Sequence, residues 1–453
     1  MRVPVEICRA IFEEVVLDRP IGSRDELTPN FTPNSTLAVL ARVDSSFRDL
    51  AREGLYSRVY LGPITFKCDF SESLALFRGT MEKNSNLAEL VLEIHTGTIS
   101  GSSNEANHLG CILQCTPNLR VFELRGWAQE GVLPIFQSLK ERHHLRRLIL
   151  SPHRLLAGYS YPLCDAEDLF LLLKHFTMLE SVVVHRGTCI IRDSGRHALY
   201  ETPWTSQSFR APHASQAQFD REFHQAIVSA SPIITWSSGP IENACPHLRH
   251  ASLVDCMTSE SELQTLSTLA PNLTEIAAHR VHRRFHADHP RICIIPALRV
   301  WSDRLVKLVL PMIYARSQEQ RNSAETWSML FPHGDDDALA NIIAQMPVLR
   351  ILGIARGSMA PRHFRRGPNS LVALGYYLPL ERLAATSPSV LPEFVAVLED
   401  GDTLPHLRHL CLTLESPRRD TDLIEPILSA RGVEFYGTVL EWETACDELS
   451  VSN

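Results

Sequence analysis

The five residues Pro405-His406-Leu407-Arg408-His409 recur verbatim upstream as Pro246-His247-Leu248-Arg249-His250. Each copy opens a frame with small or apolar residues at its first, fourth and sixth positions, Leu407/Leu410/Leu412 being the fullest. The same frame returns at Leu87/Leu90/Leu92, Leu119/Phe122/Leu124, Leu145/Leu148/Leu150, Leu179/Val182/Val184, Leu273/Ile276/Ala278, Leu305/Leu308/Leu310, Leu349/Leu352/Ile354 and, more loosely, Leu380/Leu383/Ala385. Successive first positions lie 32, 26, 34, 69, 25, 32, 44, 31 and 27 residues apart, so a self-similar unit returns along most of the chain.

That period selects a narrow group of folds. Residues four and six of a frame point the same way from a short strand, and the first leucine tucks beneath it. A single unit cannot bury this apolar edge, whereas stacked neighbours bury it for one another. Frame and spacing are those of a leucine-rich repeat, roughly 20–29 residues long and longer in irregular arrays; the 69-residue step then holds about two units. A proline stands two residues before the first leucine at Pro117, Pro246, Pro271, Pro347 and Pro405. It is expected to end the preceding helix and start an extended segment. Helical segments at Glu130–Leu139, Asp165–His175, Ser259–Leu269, Asp336–Gln345 and Ser389–Glu399 are expected on the convex side.

Composition narrows the function classes. A solenoid accommodates 453 residues as one elongated unit. With 44% hydrophobic residues, no apolar run reaches bilayer length; Leu169–Leu173 is cut at Lys174, so no membrane span is expected. Glu6, Arg9, Glu13 and Glu14 break the N-terminal apolar residues, so no signal peptide is expected. A net charge of -8 argues against a general nucleic-acid binder. The eleven scattered cysteines lack C-x-x-C pairs and suit a reduced cytoplasmic or nuclear protein.

No phosphate-binding, dinucleotide, nucleophile-elbow, zinc-protease or kinase motif occurs, and no catalytic residue or cofactor is expected. The histidines at 279, 282, 286 and 289 offer the one metal-like spacing, His282 and His286 sharing a face if helical. Arg280, Arg283, Arg284 and Arg291 among them oppose a cation, so the expectation is a solvated basic loop and no metal. Residues 186–240 and Pro311–Trp327 interrupt the rhythm, and Gly357–Asn369 is a basic loop. The C-terminal tail after Gly437 is expected to cap the last repeat.

Residues 1–61 carry no repeat. Ile7, Ala10, Ile11, Val15 and Val16 have helical spacing, and a polar Asp18–Pro33 loop follows. A second helix is expected from Ser35 through Phe47, a third turn through Leu50–Leu55, and a short strand at Tyr56–Leu61. Val-Pro-x-Glu-Ile-x-x-x-Ile-Phe at Val3–Phe12, then Leu37, Leu40, Val43, Phe47, Leu50 and Ala51, and finally Leu55-Tyr56-x-x-Val59, together resemble an F-box. Val3, Asp44 and Phe47 stand where leucine, cysteine and tryptophan are commoner. The whole chain resembles fungal F-box proteins with degenerate leucine-rich repeats.

The resemblance implies an α/β solenoid: a small three-helix F-box-like module (1–61), then an irregular leucine-rich-repeat horseshoe (62–437) with a parallel sheet on its concave face. An insertion is placed at about 186–240 and a cap or tail at 438–453. It also implies a substrate-recognition subunit of a cullin-type ubiquitin ligase. Pro4, Ile7, Phe12, Leu37 and Phe47 would then contact a Skp-type adaptor, itself bound to the cullin scaffold. Alternation along the strands places the substrate on the third and fifth frame positions, with Glu89, Glu123, Arg147, His250, Lys307 and His409 as candidates. Two other readings stay open: a scaffold that recruits no adaptor, and an enzyme using 186–240 as a lid.

Overall fold

The frames from Leu119, Leu145 and Leu179 become strands because alternate β-branched and leucine side chains fit a pleat buried on one face. Phe122, Leu124, Leu148, Leu150, Val182 and Val184 are all buried there. The computed structural model describes residues 42, 45–62, 70–97, 103–127, 129–152, 166–185, 242–283, 294–310, 313–315, 335–355, 359–377, 391–412 and 417–451. These fall into two compact units, one within 42–185 and one within 242–451.

Unit 1 runs from helix Ser45–Ser57 through β1 (Arg58–Leu61), helices Phe70–Lys83 and Ser85–Leu90, β2 (Glu93–Gly97), helix Ser103–Cys115 and β3 (Val121–Trp127). Helix Gln129–Leu139, β4 (Arg147–Pro152), helix Ala166–Leu173 and β5 (Ser181–His185) complete it. The strands pair in chain order, every pair parallel. Parallel neighbours need a crossover, which the helices supply. Val132, Ile135, Phe136 and Leu139 recur at helical spacing and are fully buried, as are Leu109, Ile112 and Leu113 on the neighbouring helix. Each such leucine contributes about 1.5–3 kcal/mol of burial.

Unit 2 contains β6 (His250–Ser259), β7 (Glu275–Arg283), β8 (Lys307–Leu310), β9 (Ile313–Ala315), β10 (Ile351–Ala355), β11 (Ala373–Tyr377), β12 (His409–Leu412) and β13 (Glu434–Tyr436). The sheet order is β6-β7-β8-β10-β11-β12-β13, with β9 also on β7, and every recorded pair is parallel. Helices Glu260–Leu269, Ile295–Trp301, Asp335–Ala344, Leu391–Glu399 and Pro417–Arg431 provide crossovers, and helix Val439–Val451 follows β13. The Trp301 indole N–H donates to the Ala270 carbonyl at 2.9 Å, so a fully buried indole ties one repeat to the preceding one.

The repeat is fixed by backbone chemistry as well as by leucines. At most steps the carbonyl of the second frame residue accepts two N–H groups from the next repeat. Leu92 accepts from Arg120 at 2.7 Å and Val121 at 3.1 Å, and Arg120 then accepts from Arg146 at 2.7 Å and Arg147 at 3.0 Å. In unit 2 Val372 likewise accepts from Arg408 at 2.8 Å and His409 at 3.1 Å. The residue before the first leucine adds a side-chain bond to the previous repeat: Asn118 Nδ2 donates to the Glu89 carbonyl at 2.8 Å and Asn272 Nδ2 to that of Pro246 at 3.0 Å.

Several sequence expectations need correction. The frame Leu87/Leu90/Leu92 is displaced by four residues: Ser85–Leu90 is helical, and the strand uses Val91/Ile94/Thr96, with Ile94 opposite Phe122 and Thr96 opposite Leu124. Thr96 hides that frame from an apolar search, although its hydroxyl donates to the Glu123 carbonyl at 3.1 Å and satisfies the buried position. The frame at 380–385 lies outside the described residues, whereas Leu371/Leu374/Tyr376 forms β11. The recurrent proline starts no extended segment. Pro246, Pro347 and Pro405 occupy the second position of a turn closed by Leu248 N–H to Cys245 (3.2 Å), Leu349 to Met346 (3.4 Å) and Leu407 to Leu404 (3.1 Å).

Gly357–Asn369 contains a 3-10 helix, Pro361–Arg366, with Phe364 buried against Tyr376 and Phe394, so this stretch is not simply a solvated loop. Pro311–Trp327 contains β9. One helix, Ser45–Ser57, spans the expected gap between a helix ending near Phe47 and a turn at Leu50.

Candidate functional site

The strand face opposite the buried frame residues carries the third and fifth positions in two rows. In unit 1 the register aligns Arg58, Glu93, Val121, Arg147 and Ser181 in one row, and Tyr60, His95, Glu123, Ile149 and Val183 in the other. Successive strands lie about 4.8 Å apart, so row neighbours are in side-chain reach.

They use that reach. Arg58 grips Glu93 through Nε at 2.6 Å and Nη2 at 3.2 Å. His95 bridges two carboxylates, with Nδ1 to Glu123 at 2.6 Å and Nε2 to Glu93 at 3.3 Å, while Arg125 pairs with the other Glu123 oxygen. The Tyr60 ring stacks on His95 with centroids 4.9 Å apart. Burial opposes charge on Glu93, yet the bonds from His95 and Arg58 win and hold its carboxyl at about 2. Burial likewise opposes the imidazolium of His95, but its two carboxylate partners lift its pKa above the usual value. Burial works against charge on Glu123 too; His95 and Arg125 reverse the direction and lower it.

The result is a stiff ladder of alternating charge with two accessible features. Tyr60 is 37% exposed and Arg147 is exposed, beside the half-buried Val121 and Val183. Such a mixture of a rigid aromatic, an arginine and apolar strand residues suits a protein partner.

The corresponding face of unit 2 is covered. The rows here are His250, Glu275, Lys307, Ile351, Ala373, His409 and Glu434, and Ser252, Ala277, Val309, Gly353, Gly375, Cys411 and Tyr436. Helix Val439–Val451 lies against β11, β12 and β13 on this face. Trp442 and Cys446, one turn apart and fully buried, join Ala277, Val309, Ile351, Ala373, Tyr377 and Cys411 in one apolar cluster, with Leu449 packed against it. Trp442 meets Tyr377 edge to face at 5.8 Å.

The Tyr377 ring occupies room left by two strand glycines. A β-carbon on Gly353 would come within 3.2 Å of that ring, and one on Gly375 would collide with its hydroxyl. Among the described residues neither the Tyr377 hydroxyl nor the Trp442 indole N–H has a hydrogen-bond partner, an unpaired buried group costing about 1–3 kcal/mol. Burial pushes the Cys411 thiol up to about 12, so it packs as a small hydrophobe.

The sequence-predicted site residues therefore divide. Glu123 and Arg147 stand on adjacent strands of the unit 1 face, Glu123 inside the charge ladder and Arg147 exposed. Glu89 does not join them: it sits on helix Ser85–Leu90, and the neighbouring Val91, expected on the concave face, is fully buried. His250, Lys307 and His409 share one row in unit 2, but Lys307 is only 6% exposed. His409 contacts Tyr436 through Nδ1 at 3.0 Å, and with Val309 and Cys411 buried the face is closed from β8 to β12, while His250 on β6 is half-buried. Sequence reading missed Arg58, Tyr60, Glu93, His95 and Arg125, of which the corrected Val91 frame would have placed Glu93 and His95. It also missed Trp442, whose helix reaches from β13 across β12 and β11.

Among the adaptor candidates, Pro4, Ile7, Phe12 and Leu37 lie outside the described residues; Phe47 falls in helix Ser45–Ser57, its side chain not described. His279 and His282 belong to strand β7, which removes the helical pairing of His282 with His286, a residue outside the described part. Among the described residues no group of three or more His, Cys, Asp or Glu could hold a metal ion, and no helix is long and apolar enough to cross a membrane.

No protein-family model and no curated protein sequence matches the chain. Among solved structures it is similar to an internalin from Listeria monocytogenes, at 11% identity over 81% of this chain and 95% of that chain, with a TM-score of 0.32. The parallel register and the repeated turn and carbonyl geometry within each unit carry the assignment to a leucine-rich-repeat type of α/β solenoid.

Proposed function

We propose that this chain is a non-catalytic protein-binding repeat scaffold, that its unit 1 strand face holds the partner, and that it serves a cullin-type ubiquitin ligase as substrate-recognition subunit. The observation behind the binding role is the unit 1 face: a charge ladder that fixes Tyr60 by stacking on His95 and leaves Arg147 exposed beside apolar strand residues. Rigid aromatic anchors lose little entropy on binding, and an exposed arginine accepts a carboxylate bidentately. A partner segment with one acidic and one apolar side chain fits this pattern.

The ligase role is supported by the F-box resemblance of Val3–Val59, through Pro4, Ile7, Phe12, Leu37 and Phe47. On this reading the partners are a Skp-type adaptor, the cullin and a protein substrate, in cytoplasm or nucleus. The plain scaffold without adaptor is the second reading, favoured by Val3, Asp44 and Phe47, which depart from the commoner F-box residues. Combining Tyr60→Ala with Arg147→Glu tests the face: partner capture from native cells should be lost while the thermal midpoint stays within a few degrees. Undiminished capture places the binding site elsewhere.

A further inference from the structure

The unit 2 strand face is an apolar surface occupied by a single amphipathic helix, Val439–Val451. Gly353 and Gly375 are direct register partners on adjacent strands, and Ala277 and Ala373 add two more small side chains on the same face. Strand interiors disfavour glycine, and here the two in register make room for the Tyr377 ring. Tyr377 floors this trough, and the Trp442 ring closes on it at 5.8 Å.

The helix bearing Trp442 is poorly matched to it. Among the described residues neither the buried Tyr377 hydroxyl nor the buried Trp442 indole N–H finds a hydrogen-bond partner. Permanent cores satisfy nearly all such groups. The link between β13 and the helix is Gly437-Thr438, both exposed, so the helix can leave without pulling the strand ladder apart. The ladder itself is completed by β13 on β12, independently of the helix.

We propose that the unit 2 face is a helix-binding site held in cis by Val439–Val451. Its ligand in trans is an amphipathic helix on a partner protein, with an aromatic anchor that packs edge to face on Tyr377, as Trp442 does, and a small or apolar residue one turn later. Trp442, Cys446 and Leu449, spaced four and three residues apart, display that recognition pattern. The chain's own helix is acidic, carrying Glu441, Glu443, Asp447 and Glu448 without a lysine or arginine, so a helix of like composition competes on equal terms. The site lies wholly in unit 2 and stands whether or not the unit 1 face binds a partner.

The probe is a fluorescent peptide of residues 438–453, added to the full chain as wild type, Trp442→Ala and Trp442→Phe. The Trp442→Ala chain, whose own helix is weakened, should bind the peptide at least tenfold tighter than wild type, with Trp442→Phe between them. A peptide carrying the same Trp442→Ala change should not bind. Hydrogen exchange on the wild-type chain gives a second readout that needs no variant. Amides of 439–451 should exchange at least tenfold faster than those of β11 and β12, reporting local release. The proposal is overturned if those amides exchange only in step with β11 and β12, or if a folded Trp442→Ala chain binds the peptide no better than wild type.

Discussion

Replacing Gly375 by alanine tests the packing of the covered face with a single methyl group. The backbone at Gly375 is in an ordinary region, since the positive-φ glycines among the described residues are Gly126 and Gly432. In open space the change would therefore stabilise by about 0.4–1 kcal/mol through the unfolded chain. The new β-carbon meets the Tyr377 hydroxyl, however, and that ring is trapped between Gly353 and Trp442. Overpacking of this kind costs about 1–3 kcal/mol, so the net loss should be about 1–2 kcal/mol. For a body of roughly 200 residues that lowers the melting midpoint by about 2–8 °C. The assay is thermal unfolding followed by near-ultraviolet circular dichroism, which senses Trp442 and Tyr377. Gly401→Ala is the control, because a β-carbon there meets nothing within 4 Å. In a Tyr377→Ala background the Gly375→Ala penalty should vanish or change sign. An equal penalty with and without Tyr377 would refute the account of this face.

Three further predictions follow from the geometry. The His95 bridge stabilises unit 1 fully below the unfolded pKa of about 6.5, and this contribution is lost as pH rises through the raised folded value. His95→Gln should flatten the stability profile across that window. Glu93, held at about 2, acts in the opposite sense, its contribution present above the ordinary value and lost as pH falls towards 2; Glu93→Gln should remove this acid limb. Leu148→Ala, at a fully buried strand position, should destabilise unit 1 by about 2–5 kcal/mol in denaturant titration, and a change under 1 kcal/mol would contradict the buried frame.

The frame was legible wherever leucine, isoleucine or valine filled its fourth and sixth positions. It failed at Thr96 and Tyr376, where a polar group sits in the core because one hydrogen bond satisfies it: Thr96 to Glu123, and the Tyr376 hydroxyl to the Met359 carbonyl at 2.8 Å. An apolar pattern does not register such residues, so the first frame slipped by four positions and took Glu89 with it. Alternation correctly put Glu123 and Arg147 on the strand face, because period two is a property of one strand. It did not show that Val309 and Cys411 would be covered. That depends on a helix more than 25 residues away in sequence from the nearest of them, and no local periodicity encodes where a helix docks. The turn prolines were visible, but their role came from the bond that closes each turn, which spacing alone does not reveal.

The proposed role as substrate receptor of a ubiquitin ligase requires that the full chain purify together with a Skp-type adaptor. Wild-type protein should co-elute with the adaptor on size exclusion. Phe47→Ala or Pro4→Ala should weaken the complex at least tenfold, the loss of about 1.4 kcal/mol or more expected for a truncated anchor, with unit 1 and unit 2 still folded. Failure of the wild-type chain to retain the adaptor, where another F-box protein does so under the same conditions, would contradict the ligase role and leave the scaffold alone.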